Sequence, residues 1–106
     1  MKIIEQLKTI LGIGSKVNFR ELVKNGAQII DVRTNEEFRG NHVPGSVNIP
    51  LQNLEANLSR IRKDRPIITC CASGMRSASA KNILKANGFT VVYNGGSWVS
   101  LQNKIS

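Results

Sequence analysis

The feature that most constrains this chain is a short apolar run that breaks first into a loop of small residues and then into a helical pattern. Pro66, Ile67, Ile68 and Thr69 have the length and β-branched content of a buried strand, and Cys70 and Cys71 stand at its end. The segment Cys71-Ala72-Ser73-Gly74-Met75-Arg76-Ser77 follows, after which Ala80, Ile83 and Leu84 recur at helical spacing until Gly88 caps the end. Strand, loop and helix in immediate succession put the loop at the carboxyl edge of a sheet, where α/β proteins bind their ligands. Backbone N–H groups in such a loop can curl around an anion. Gly74 permits a φ that other residues resist, and the following helix adds its positive end.

The rest of the chain repeats the alternation. Gln28 to Val32 is a second buried-strand run, with polar groups beginning at Asp31 and Arg33. Ser46 to Pro50 and Thr90 to Tyr93 read as further strands, and Val17 to Asn18 as a short one. Between them, Phe19 to Lys24 forms a helix closed by Gly26, and Thr34 with Glu37 makes a capping box that starts a short helix over Glu36 to Phe38. Leu51, Leu54, Leu58 and Ile61 share one face of a helix over residues 51 to 61. At the start, Ile3, Ile4, Leu7, Ile10 and Leu11 give an amphipathic helix over residues 1–14, expected to dock on the core. Strands alternating with helices specify the α/β class, a parallel sheet covered on both faces, and 106 residues suit one domain spanning 1–106.

Fifteen Lys and Arg against seven Asp and Glu leave a formal charge of +8, which concentrates anionic partners near the surface. Nucleic acid is disfavoured as that partner, because the basic residues are scattered apart from Arg60 to Arg65 and one Trp with one Tyr make no stacking platform. No stretch is long enough to span a bilayer, and Glu5, Gln6 and Lys8 interrupt the N-terminal apolar residues where a signal peptide would be continuous. Two adjacent cysteines are no disulfide framework, so a reducing cytoplasm is the expected setting. His42 is the only histidine and the cysteines lack a metal-pair spacing, so no metal site is expected.

Consecutive strand residues point to opposite faces, so only one of the two cysteines can face the loop. A thiol there has its thiolate favoured by unpaired N–H groups and by Arg76, and in such settings cysteine pKa falls to about 3.5 to 7.5. Counting from Cys71 gives a six-residue Cys-x-x-Gly-x-Arg loop. Counting from Cys70 gives Cys-x5-Arg76, the spacing of cysteine-dependent phosphatases and arsenate reductases. Loop chemistry alone allows either.

Residues 71 to 80 are similar to the active-site loop of rhodanese-like domains. The family's other motif is matched by Asp31-Val32-Arg33, Glu37-Phe38, His42-Val43-Pro44-Gly45-Ser46 and Asn48-Ile49-Pro50, so the resemblance covers about residues 17 to 98. It implies a three-layer α/β domain with a mainly parallel five-stranded sheet, and a sulfurtransferase of the thiosulfate type. The Cys71 thiolate would take a sulfane sulfur, for instance from thiosulfate, and pass it as a persulfide to a thiophilic acceptor. The backbone of Ala72, Ser73, Gly74, Met75, Arg76 and Ser77 would hold the outer sulfur, with Arg76 attracting the anionic donor or anchoring the loop. Asp31 and Arg33 read as a scaffold pair beneath the site, His42 as a turn-fixing residue, Cys70, Phe38 and Trp98 as core. No metal or organic cofactor is implied. Partners would be a small anionic sulfur donor and protein persulfide donors or acceptors, and a non-turnover persulfide carrier stands as the alternative. Two departures from the family pattern stand out: Asn41 in place of glycine before the motif histidine, expected to keep a left-handed backbone, and a shortened closing stretch, Gly95-Gly96-Ser97-Trp98.

Overall fold

A computed structural model describes residues 17–106, so the amphipathic pattern over residues 1–14 lies outside the described residues. The order of elements is α1 (Phe19–Lys24), β1 (Gln28–Asp31), α2 (Asn35–Gly40), β2 (Val47–Asn48), two 3-10 segments (Leu51–Asn53 and Glu55–Arg60), β3 (Ile67–Cys71), α3 (Met75–Ala86), β4 (Val92–Ser97) and α4 (Trp98–Ile105). The strands form one parallel sheet in the order β2-β1-β3-β4.

The central strand shows why the sequence folds this way. All five residues of β3 are buried, as expected for a parallel strand covered on both faces. Ile67 and Cys71 join one apolar cluster with Ile30, Val32, Leu54, Ala80, Leu84 and Val92, beneath α3 and the 3-10 segments. Ile68 and Cys70 join the other, with Phe19, Ile29, Val43 and Leu101, beneath α1 and α4. The strand period of two thus sends the adjacent cysteines to opposite sides of the sheet.

Several expectations are corrected. The sheet has four strands among the described residues, not five: Val17 is exposed, and Asn18 caps α1, its side chain accepting from the Glu21 N–H, instead of pairing in a strand. The helix expected over residues 51–61 is two 3-10 segments, because Asn57 (φ −125°, ψ 22°) breaks the α path. The last strand runs further than Tyr93, to Ser97, and leads directly into α4, a helix not anticipated from the sequence. Asn41 is extended, with φ −174°, not left-handed, and its side-chain oxygen accepts from the His42 N–H. Trp98 is half-buried and packs against the cluster beneath α1 and α4, whereas Phe38, also half-buried, stacks on His42 outside both clusters. The capping box at Thr34 and Glu37 forms as expected, each side chain accepting from the other residue's backbone N–H.

The edge of β4 against β3 carries an irregularity that positions the site. Thr69 pairs with Asn94 and Cys71 with Ser97, so three steps of β4 oppose two of β3, a bulge centred on Gly95 and Gly96. Gly96 has φ +79°, the left-handed conformation such bulges use. At Gly95 a Cβ would come within 2.8 Å of Ile68 Cγ2 and 2.9 Å of the Thr69 carbonyl oxygen. The carbonyl belongs to the central strand and cannot retreat without disturbing its pairing. Gly95→Ala is therefore expected to lower the unfolding free energy by roughly 1–3 kcal/mol. Urea denaturation measures it, and an unchanged midpoint would contradict the tight approach.

Candidate active site

The loop between β3 and α3 closes on the sulfur of Cys71. Gly74, with φ +104°, turns the chain so that its own N–H donates to Cys71 Sγ at 3.0 Å, and the Ser77 N–H, in the first turn of α3, donates at 3.3 Å. The Ser77 hydroxyl lies 3.5 Å from Sγ. Burial works against a charged sulfur here, but the Ser77 hydroxyl and the N–H groups of Ser77, Gly74 and Ser73 outweigh it, and the Cys71 pKa falls below the ordinary thiol value. Cys70 is the contrast. It sits in the opposite apolar cluster, where burial, with Asp31 adding to it, pushes its thiol up to about 12. Only Cys71 is both aimed into the loop and biased toward thiolate.

The loop is fastened from three directions. Thr69 Oγ1 donates to the Ser77 carbonyl at 2.8 Å, tying the first turn of α3 to the central strand. Asn94, on β4, reaches over from the bulge: its Oδ1 accepts from the Ser77 hydroxyl at 2.6 Å and from the Gly96 N–H at 2.9 Å, and its Nδ2 donates to the Gly74 carbonyl at 3.3 Å. Arg76 leaves the loop and grips Glu37 of α2 with two hydrogen bonds, 2.8 and 3.1 Å. The Arg76 guanidinium, helped by the Thr34 backbone N–H, holds the Glu37 carboxyl at about 2, so the pair is ionised at any physiological pH. Much of the positive charge expected to face a donor is thus balanced by Glu37.

Beneath this, Asp31 at the end of β1 and Arg33 just after it form a buried pair. The Arg33 Nη2 to Asp31 Oδ2 distance is 2.8 Å, with Nε donating to both carboxylate oxygens at 3.0 and 3.1 Å. Arg33 also donates to the carbonyls of Glu37 and Asn41, and its guanidinium lies 5.0 Å from the Trp98 ring centre. One cation therefore fastens the end of β1 to α2 and its exit, and α2 carries the partner of Arg76. His42 stands outside the loop, with its ring stacked on Phe38 at 3.7 Å and Nδ1 2.7 Å from the Phe38 carbonyl. The residues the sequence did not single out are Thr69 and Asn94, together with the pairing of Glu37 to Arg76.

A groove of about 510 Å³ shares Arg76 with the loop and is lined by Val32, Pro50 and Leu51 together with Thr34, Asn35 and Gln52, among others. Among the described residues, no three His, Cys, Asp or Glu side chains gather in a way that could hold a metal ion, and no helix is long and apolar enough to cross a membrane.

Comparison with known proteins gives a consistent picture. The family model described as Rhodanese-like domain matches residues 15–104. The chain is 44% identical over 68 residues to YqhL of Bacillus subtilis, covering 64% of this chain and 54% of that protein. It is 39% identical to the putative sulfur carrier protein YrkF of the same organism, over 62% of this chain and 36% of the relative. The chain thus spans about half of the first relative's length and about a third of the second's. It is 33% identical to the thiosulfate sulfurtransferase GlpE of Pseudomonas savastanoi, over 69% of each chain. Among solved structures, a rhodanese with anions from E. coli superposes with a TM-score of 0.67 at 32% identity, covering 71% of this chain and 91% of that one.

Proposed function

The chain belongs to the rhodanese-like domain family, and from that we propose that it is a sulfurtransferase in which Cys71 carries sulfane sulfur, with thiosulfate as one donor. The observation that carries the reading is the position of Cys71 Sγ, which receives two backbone N–H groups at the head of a helix while Cys70 points into the far core. The similarity to thiosulfate sulfurtransferases supports the choice of donor. The Cys71 thiolate attacks the outer sulfur of thiosulfate and the S–S bond of the donor breaks. Sulfite leaves with the electron pair, and the enzyme holds Cys71–S–S⁻. The outer sulfur's charge would fall to the N–H groups of the loop, with those of Gly74 and Ser77, which now meet Sγ, supporting this reading. A nucleophilic acceptor such as a thiol or cyanide then takes the outer sulfur and frees the thiolate.

Incubation with thiosulfate followed by intact mass spectrometry is the test. We expect a gain of one sulfur that a thiol or cyanide removes, and a protein left unmodified by excess thiosulfate would overturn the proposal. The phosphatase register from Cys70 draws no support from a thiol packed beside Phe19, Ile68 and Leu101.

A second reading, a relay that takes a persulfide from one protein and gives it to another with little free turnover, rests on two observations. The chain is similar to a putative sulfur carrier, and Cys71 has no exposed surface, so its cargo would be shielded from stray thiols. The charge of +8 would then dock acidic partners, making transfer from a protein donor fast at low salt and slower as salt rises. Two free cysteines, one of which must remain a thiolate, suit a reducing compartment such as the cytoplasm.

A further inference from the structure

Ser77 has one hydroxyl proton and three acceptors around it: Asn94 Oδ1 at 2.6 Å, the Gly74 carbonyl at 3.0 Å and Cys71 Sγ at 3.5 Å. The orientation of the Asn94 amide follows from its other partners. The Gly96 N–H donates to Oδ1, and the Gly74 carbonyl, which also accepts from the Ala78 N–H, takes a further bond from Nδ2. Turned over, the amide would set N–H against N–H and oxygen against oxygen, so the group presented to Ser77 is the oxygen. Asn94 is the last regularly paired residue of β4 before the bulge, where Gly95 and Gly96 together oppose Cys70 alone, and the Gly96 N–H turns back onto its Oδ1.

We propose that Asn94 is a positioning residue that competes with Cys71 Sγ for the Ser77 hydroxyl proton, and so keeps the thiolate less hydrogen-bonded and more nucleophilic than the loop would otherwise leave it. The proposal rests on Cys71 being the nucleophile. In the thiol state the Cys71 S–H donates to Ser77 Oγ and the Ser77 O–H donates to Asn94. When the sulfur loses its proton, the hydroxyl can serve the negative charge only at the expense of the 2.6 Å bond, so the thiolate shares it with Asn94 and receives less of it than it would alone. In the persulfide the inner sulfur is neutral, and the hydroxyl returns to Asn94.

The charged groups near this corner do not reach the Ser77 proton. On β1 and just beyond it, Asp31 and Arg33 are bound to each other, and Arg76 of α3 is bound to Glu37 of α2. On β3 itself Cys70 faces away, and from β4 the group facing Ser77 is the neutral Asn94.

The test is the rate of Cys71 alkylation by iodoacetamide against pH, followed by peptide mass spectrometry, in wild type, Asn94→Ala, Ser77→Ala and the double variant. Freed from competition, the hydroxyl in Asn94→Ala donates fully to the sulfur, and the midpoint is expected to move down by roughly one pH unit. The plateau rate constant should fall about threefold for each unit, because a less basic thiolate is a weaker nucleophile. In the Ser77→Ala background, Asn94→Ala should change neither. A midpoint that rises or stays put, or a shift of equal size in both backgrounds, would assign Asn94 to loop structure alone and overturn the proposal. Should Asn94→Ala prove unfolded by circular dichroism, Asn94→Asp replaces it: a carboxylate holds the Ser77 proton more tightly, and the midpoint must rise more with Ser77 present than without it. The thiosulfate mass experiment on wild type separates the two levels, since persulfide formation can succeed while the competition at Ser77 is absent.

Discussion

Cys71→Ser protein treated with thiosulfate is expected to gain no sulfur, and its turnover to fall on the order of a thousandfold or more, as when a covalent nucleophile is lost elsewhere. Cys70→Ala, one residue away, is expected to acquire the sulfur normally. Serine preserves the size and hydrogen bonding of the loop, but an alcohol ionises far less readily than a thiol and forms no persulfide. The two N–H groups that stabilise a sulfur anion at Cys71 then face a neutral hydroxyl. At Cys70 the loss is only of packing, in a site where burial already holds the thiol protonated, and about 1 kcal/mol of stability should go with it. Intact mass spectrometry of the two variants reads the outcome directly. Sulfur retained in Cys71→Ser and lost in Cys70→Ala would reverse the register and restore the longer Cys70-to-Arg76 loop as the working one.

Much of this site could be read from the chain because its signals are local. A buried run, a glycine that must turn and a helix pattern all fall within residues 66 to 88, and the period of two along β3 separates the two cysteines without any tertiary information. The Thr34 and Glu37 capping box is local as well, and it marks the start of α2. What could not be read depends on distant segments meeting. Asn94 matters through a bulge whose effect is defined only once β4 lies beside β3, and nothing in a bare Asn-Gly-Gly announces the strand it faces. Glu37 already had a local role as a capping residue, which hid its second role as the partner of Arg76. Helix α4 puts Trp98, Leu101 and Ile105 on one face, but that face spans only eight residues and follows β4 without a break, so no turn signal marks where the strand ends and the helix begins. The 3-4-3 apolar spacing over residues 51–61 is the α period, and the two 3-10 segments keep Leu51 and Leu54, then Leu58 and Ile61, in separate i, i+3 pairs on either side of the non-helical Asn57. The fifth strand expected from family resemblance has no counterpart at residues 17–18, where Asn18 serves α1 as its cap.

Arg33→Met is expected to be the most damaging single change to stability outside the apolar core, and the reason lies in what it leaves behind. Asp31 is fully buried, and its carboxylate takes three side-chain hydrogen bonds from Arg33, besides one from the Arg33 backbone N–H. Methionine matches much of the arginine's length but supplies no charge and no donor, so an ionised carboxylate would remain in the interior with a single backbone partner. Breaking one side of a buried pair in this way costs about 3–5 kcal/mol. A domain of this size has only about 5–15 kcal/mol in total, so the variant should unfold at much lower urea. The carbonyls of Glu37 and Asn41 also lose their donor, so α2, which holds Glu37 against Arg76, should loosen first. The double variant Asp31→Asn with Arg33→Met removes the stranded charge and should regain part of the loss, even though two wild-type residues are gone. Urea denaturation of both variants tests this. A double variant less stable than Arg33→Met alone would show that Asp31 is not the source of the damage, and that Arg33 acts mainly by bridging β1 to α2 and Trp98.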